Sequence, residues 1–245
     1  MSVTAPVAIV TGTGRGLGEA IADELSDLGM YVVGCNRSTV DVRDPTAVRH
    51  FVSRVTMVNG FVDILVNNAG VLGPVGNIDD VDPSEFRDAV ETNFFGPWHL
   101  MRSCLPHMKA QGSGRIINIG GGGADKPLPR RGAYACAKAA LVRLTDTVAG
   151  ELVGTNIAVN AVAPGPLATR MMDDILDAEP EAEKAEAGTL PIIRAAKLVA
   201  WLASPDSEGL TGRYISARFD PWPFDKNTIA TIMRQDRYAL RRAVN

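Results

Sequence analysis

The sequence predicts an α/β fold, a doubly wound parallel sheet in a single domain, and three observations carry that prediction. Short apolar runs of strand length alternate with longer amphipathic runs of helical period along most of the 245 residues, the pattern of consecutive βα units. The first apolar run, Val7 to Val10, ends at Thr11-Gly12, and Gly16 and Gly18 follow at the mouth of a helix. Hydrophobic residues make up 46% of the chain and charged residues 22%, which suits one sizeable core.

The elements follow in order. Val7 to Val10 is a buried strand entering a tight turn. Beyond Leu17, Ile21, Leu25 and Leu28 share one helical face, and Gly29 supplies a stop. Tyr31 to Cys35 is the second strand. Asp44-Pro45 pairs an N-cap with proline at the first helical position, and Val48, Phe51, Val52 and Val55 form the buried stripe of that helix. Val62 to Val66 is a third strand. Asp82-Pro83-Ser84-Glu85 opens a helix with a capping-box pattern, and this helix is expected to run toward Leu105 with a kink or break near Pro97. Arg115 to Ile119 is a strand running into Gly120 to Gly123; a helix from about Arg131 to Val153 and a strand from Ile157 to Val162 complete the alternation. Ligands of such sheets sit at the carboxyl ends of the strands.

Composition excludes several functions. A net charge of -3 gives no electrostatic case for nucleic acid or an anionic membrane, and no apolar run reaches the roughly 18 residues of a membrane span. Cys35, Cys104 and Cys136 are far apart and odd in number, which argues against a disulfide framework and fits a cytoplasmic location. No basic segment leads into an apolar core at the N-terminus, so no secretory signal is expected. His50, His99 and His107 lack metal-ligand spacing, and no metal site is expected.

Two motifs carry chemistry by their own physics. Gly12, Gly16 and Gly18 lie between a strand and a helix, where glycine permits a tight turn and brings backbone amides close to a pyrophosphate. The second strand ends at Asn36-Arg37, where an enzyme using NAD would offer a carboxylate to the ribose hydroxyls. Asparagine cannot repel a 2′-phosphate, and Arg37 and Arg15 can bind one. NADP(H) is therefore the expected cofactor, with NAD(H) as the alternative.

Thr11-Gly12-Thr13-Gly14-Arg15-Gly16-Leu17-Gly18, Asn67-Asn68-Ala69-Gly70 and Tyr134-Ala-Cys-Ala-Lys138, in that order and spacing, resemble the short-chain dehydrogenase/reductase family over nearly the whole chain. The resemblance implies a Rossmann fold and hydride chemistry on a nicotinamide cofactor. It implies that Tyr134 is the general acid/base and that Lys138 tunes it and holds the nicotinamide ribose. Asn93 would support a proton relay through its main chain. Asn67, Ala69 and Gly70 would border the cofactor, and Asp41 with Val42 would flank the adenine. Pro164, Gly165 and Thr169 would close over the nicotinamide. Tyr134 and Lys138, four residues apart, do share one helical face.

The sequence departs from the family in three places, at Gly121, after Arg37 and in the tail, and it carries a candidate flap between the last two. Gly121 stands where family members carry a serine that bonds the substrate carbonyl, and no neighbouring residue restores a hydroxyl, since Gly120, Gly122 and Gly123 are glycines too. Removing one such donor costs about 10²–10³ in rate. Only three residues separate Arg37 from Asp41, so the helix expected on that edge is absent and the adenosine end more exposed. The acidic stretch from Met171 to Leu190, within a region at about 170–190, reads as a substrate flap. The tail over 218–245, with Asp236, Arg237, Leu240, Arg241 and Arg242, lacks the usual paired glycines; it faintly resembles members acting in sugar or polysaccharide pathways, or else Trp222 and Phe224 form a subunit contact.

The expected function is an NADP(H)-dependent oxidoreductase interconverting a secondary alcohol and a carbonyl on a small polar, sugar-like or natural-product substrate. It is expected to be a cytoplasmic homo-oligomer, a dimer or tetramer. Gly121 keeps two alternatives open: a cofactor-binding subunit without redox activity, or a pocket used for dehydration or cyclisation.

Overall fold

Alternate residues of the first apolar run face opposite sides, and both sides are covered. In β1 (Val7–Thr11), Ala8 and Val10 enter one hydrophobic cluster while Val7 and Ile9 enter another. A strand buried on both faces belongs inside a parallel sheet with helices on each side. The computed structural model, which describes residues 5–178 and 190–239, has that arrangement. Its remaining strands are β2 (Tyr31–Cys35), β3 (Ile64–Asn67), β4 (Gly114–Ile119), β5 (Ile157–Ala163) and β6 (Tyr214–Ser216). All pairings are parallel and the order is β2-β1-β3-β4-β5-β6.

The winding reverses between β1 and β3, and this opens a crevice at their carboxyl ends. Helices α1 (Gly16–Asp27), α7 (Ile192–Ala203) and α8 (Lys226–Arg234) cover one face of the sheet. Helices α2 (Pro45–Asn59), α4 (Gly96–Gln111) and α5 (Gly132–Glu151) cover the other. The shorter α3 (Pro83–Val90) packs on α5, and α6 (Arg170–Ala178) follows β5.

The expected caps form. Asp44 accepts from the amides of Thr46 at 2.8 Å and Ala47 at 3.1 Å. Asp82 likewise accepts from Ser84 at 2.8 Å and Glu85 at 3.1 Å. Neither a helix nor a strand lies between β2 and α2; β2 pairs only with β1 and is an edge strand, and Tyr31 is 55% exposed.

Three expectations need correction. Of the kink or break expected near Pro97, the break does not occur; Glu91–Phe95 form a π-helical turn joining α3 to α4. Pro97 has no N–H to give the Asn93 carbonyl four residues back, and the wider turn before it absorbs that loss. The chain then stays helical to Gln111, through Pro106.

The second correction concerns Phe224, which is not a subunit contact. It is 6% exposed and packs in the core beneath α7, with Trp201 and Tyr238 against its ring and Trp222 half-buried alongside. The third is that β6, α7 and α8 were not anticipated. Of the expected flap, 179–189 lie outside the described residues, as do Leu240, Arg241 and Arg242 of the tail.

Phe224→Ala should therefore lower the unfolding free energy by about 3–5 kcal/mol, the usual range for emptying a buried aromatic site. Urea denaturation followed by circular dichroism would measure it. Unchanged stability with a smaller assembly in sedimentation would return Phe224 to the surface.

Candidate active site

The glycine turn is built against the end of β3. Asn68 reaches back with its side-chain amide to the carbonyls of Thr11 at 2.9 Å and Gly12 at 3.4 Å. Thr11 answers by accepting from the backbone amides of Asn68 at 3.0 Å and Ala69 at 2.9 Å. Gly18 lies so close to the turn that a Cβ there would overlap the Gly12 carbonyl, which explains glycine at the helix–strand contact. The N-terminus of α1 has no side-chain cap. Its first amides, beside Gly12 and Gly16, fit a pyrophosphate.

A buried polar chain holds the next two strands and α5 in register. Asn67 donates to Asn118 Oδ1 at 2.8 Å, Asn118 donates to Thr145 Oγ1 at 2.9 Å, and Thr145 donates to the Leu141 carbonyl at 2.9 Å. Asn67 thus works inside the sheet. Asn93, fully buried in the π-helical turn, clamps the Gly70-Val71 loop with both ends of its amide. Its Nδ2 donates to the Val71 carbonyl at 2.8 Å and its Oδ1 accepts from the Val71 amide at 3.0 Å.

Lys138 is 3% exposed, and its Nζ donates to the Ile119 carbonyl at 2.7 Å, at the end of β4. The ammonium lies 5.7 Å from the centre of the Tyr134 ring. A side chain at Gly70 would crowd the Asn93 Oδ1 and touch Lys138 Nζ, so loop, asparagine and lysine converge on one spot. Burial depresses the lysine to about 8. Below that pH the ammonium keeps its charge.

Gly121 leaves the space that Tyr134 fills. A Cβ built on Gly121 would overlap the Tyr134 hydroxyl and lie 3.1 Å from Cζ. The phenol and a side chain at position 121 exclude each other in this arrangement. Burial pushes Tyr134 up to about 12, and the nearby Arg131 pulls the other way. The phenol is therefore protonated at neutral pH, and it lies beside a cation that favours the phenolate.

At the adenosine end the residues are more open. Asn36 Oδ1 accepts from the Ser38 amide at 3.0 Å and its hydroxyl at 2.6 Å, making a tight turn in place of a helix. Arg15 and Arg37 are exposed and form no ion pair among the described residues. The Asp41 carboxylate is held by both donating nitrogens of Arg43, the closer at 2.7 Å. That bond lowers the Asp41 pKa. Val42 packs into the core against Gly96, and its carbonyl lies 3.0 Å from His99 Nδ1.

After β5 the chain passes Pro164, turns at Gly165 and reaches Thr169, whose carbonyl starts α6 by accepting from Met172 at 2.8 Å. Thr169 lies beside Gly16: its methyl would be 3.6 Å from a Cβ there. The segment after β5 and the glycine turn thus meet. Sequence reasoning gave no role to Asn118, Thr145 or Tyr214, and none to the Thr11 side chain. The signal for Asn118 was present, a polar residue inside the apolar run Ile116-Ile117-Asn118-Ile119. No described helix is long and apolar enough to cross a membrane.

The family profile described as short chain dehydrogenase matches residues 37–180. The chain is 33% identical over 233 residues to 3-oxoacyl-[acyl-carrier-protein] reductase FabG of Haemophilus influenzae, covering 84% of this chain and 93% of that one. It is similar to the solved 3-ketoacyl-(acyl-carrier-protein) reductase from Brucella melitensis complexed with NADH. That match has TM-score 0.78, 28% identity, and coverage of 88% of this chain and 97% of that one. It also matches an actinorhodin polyketide ketoreductase variant with NADPH, at TM-score 0.77, 26% identity, and coverage of 86% and 95%.

Two outcomes follow from the packing at Gly121 and Lys138. Gly121→Ala should displace the Tyr134 hydroxyl, and tyrosine fluorescence quenching by acrylamide should rise; unchanged quenching would show that the space is not shared. For Lys138, the unfolded side chain titrates at its ordinary 10.5 and the folded one at about 8, so between those values the unfolded chain holds the extra proton and stability rises with pH. Lys138→Met removes that rise. Its stability relative to wild type should be higher at pH 7 than at pH 10 by roughly 2–3 kcal/mol in urea denaturation. A difference independent of pH would mean that the lysine is not desolvated.

Proposed function

The chain belongs to the short chain dehydrogenase family, and on that premise we propose that it is an NADP(H)-dependent oxidoreductase. It interconverts a secondary alcohol and a carbonyl on a small polar, sugar-like or natural-product substrate. One observation carries the reading: the buried Lys138 ammonium and the Tyr134 phenol meet beside the end of β4, in space that Gly121 leaves open.

The chain's own residues fit a nicotinamide cofactor at the glycine turn, α1 and the loop held by Asn68 and Asn93. Bound there, the cofactor supplies or takes up the hydride. Tyr134 gives its hydroxyl proton to the substrate oxygen during carbonyl reduction and takes it back during alcohol oxidation. Lys138, charged below about pH 8, stabilises the phenolate that this leaves. Asn93 fixes the Gly70-Val71 backbone against the site, and its carbonyl, which Pro97 cannot bond, supports the proton relay.

The NADP(H) preference rests on Arg37 and Arg15, exposed beside Asn36 with no carboxylate at that position. Relatives of similar fold bind NADPH or NADH. Gly121 supports a second reading, a site without redox turnover or one used for dehydration, because no side-chain donor at 121 polarises a carbonyl. A cytoplasmic location is proposed from three free cysteines, two of them buried. A homo-oligomer, dimer or tetramer, is proposed from the exposed Phe95 and Trp98. The α6 segment, next to Thr169, is proposed to cap the substrate.

Tyr134→Phe should abolish NADPH oxidation with a panel of small ketones while leaving cofactor affinity within about twofold, since the phenol acts on the proton. Retained turnover would remove Tyr134 from the chemistry. Fluorescence titration should show tighter NADPH than NADH binding, and Arg37→Asp should reverse the order. Equal affinities in the wild type would end the NADP(H) assignment.

A further inference from the structure

A second phenol reaches the same backbone from the opposite side. Tyr214, the first residue of β6, donates its hydroxyl to the Gly121 carbonyl at 3.0 Å, across 93 positions of sequence. Its ring fills the space left by Gly120, where a Cβ would lie 2.8 Å from Cε2 and 3.3 Å from the hydroxyl. Burial raises its pKa, so the hydroxyl stays protonated and able to donate. The Gly121 carbonyl also accepts from the Ala124 amide at 3.3 Å. Gly120-Gly121 is thus enclosed by two tyrosines, with Tyr214 against the first glycine and Tyr134 against the second.

The consequence lies in the next peptide. A trans peptide directs its carbonyl and its N–H to opposite sides. With the Gly121 carbonyl turned inward onto Tyr214 and Ala124, the N–H of Gly122 is turned the other way. Gly122 is exposed, and its amide donates to nothing among the described residues. A backbone amide of this kind can serve as the fixed donor that a side-chain hydroxyl would otherwise provide.

We propose that Tyr214 is a positioning residue that holds the Gly121–Gly122 peptide so that the Gly122 N–H donates to the substrate carbonyl oxygen beside Tyr134. The inference rests on the oxidoreductase reading and deepens it, since it supplies the donor that Gly121 lacks. Tyr214 is itself fixed from the tail. Its amide donates to the Tyr238 carbonyl at 2.7 Å, and the neighbouring Arg213 pairs with Asp236 at 3.3 Å. The divergent C-terminal segment therefore supports the active-site backbone.

The test is Tyr214→Phe, which keeps the ring against Gly120 and removes only the hydroxyl. The intact protein is assayed with NADPH and three carbonyl probes: ethyl acetoacetate, cyclohexane-1,2-dione and dihydroxyacetone. On whichever probe the wild type reduces, kcat should fall about 10- to 100-fold, with the KM for NADPH within twofold. Exchange of the Ala124 amide, followed by NMR with cofactor bound, should speed up at least tenfold, because the turn closing on the Gly121 carbonyl loses its second donor. Unchanged kcat in the variant would overturn the proposal, as would unchanged exchange at Ala124 or a matching loss of NADPH affinity. A wild type that reduces none of the probes is a different failure, that of the oxidoreductase reading beneath this one.

Discussion

Steric exclusion at Gly121 is the constraint around which the candidate site of this protein is arranged. The hydroxyl of Tyr134 occupies the volume in which any side chain at that position would begin. Because protein interiors are close-packed, one of the two groups must yield, and here it is position 121. Placing the phenol there brings its ring within 5.7 Å of the Lys138 ammonium. It also leaves the backbone at 120–122 without a side chain to anchor it, and polar contacts from elsewhere hold the carbonyl of Gly121 instead.

The second theme is that strand ends are held by buried amides rather than by packing alone. Thr11 with Asn68, Asn67 with Asn118 and Thr145, and Asn93 with Val71 together join β1, β3, β4, α5 and the π-helical turn. A buried polar group must find its partner or impose a desolvation penalty, so each bond permits only one relative placement of its elements. Lys138 is the extreme case. Its burial disfavours its charge, and the Ile119 carbonyl offsets only part of that. A site that carries such strain gives up stability for chemistry.

Much of this was legible in the sequence, for local reasons. Glycine spacing after an apolar run, Asp44-Pro45, and Asp82-Pro83 each specify a turn or a cap within a few residues, and each forms where expected. The shortened segment after Arg37 correctly gave an edge without a helix. What was misread depends on partners distant in sequence. Phe224 looks like a surface aromatic beside Trp222 until Trp201 and Tyr238 are seen to close over it. Pro97 looks like a helix break because the π-helical turn that accommodates it is a tertiary device, held by Asn93 against the Val71 loop. The space shared by Gly121 and Tyr134 depends on where α5 sets the phenol against the end of β4, which no spacing pattern encodes.

The central claim is that the Tyr134 phenol, seated at Gly121 beside Lys138, is the proton-transfer group of a nicotinamide-dependent site. A titration of the protein labelled with ¹³Cζ-tyrosine, followed by NMR with and without NADP⁺, tests it most directly. Tyr134 should titrate near 12 in the free protein, where burial dominates. Saturating NADP⁺ should lower that value by about two units or more, because a bound positive charge nearby favours the phenolate; NADPH, with a neutral ring, should not. The same Tyr134 titration with and without NADP⁺ would contradict the account.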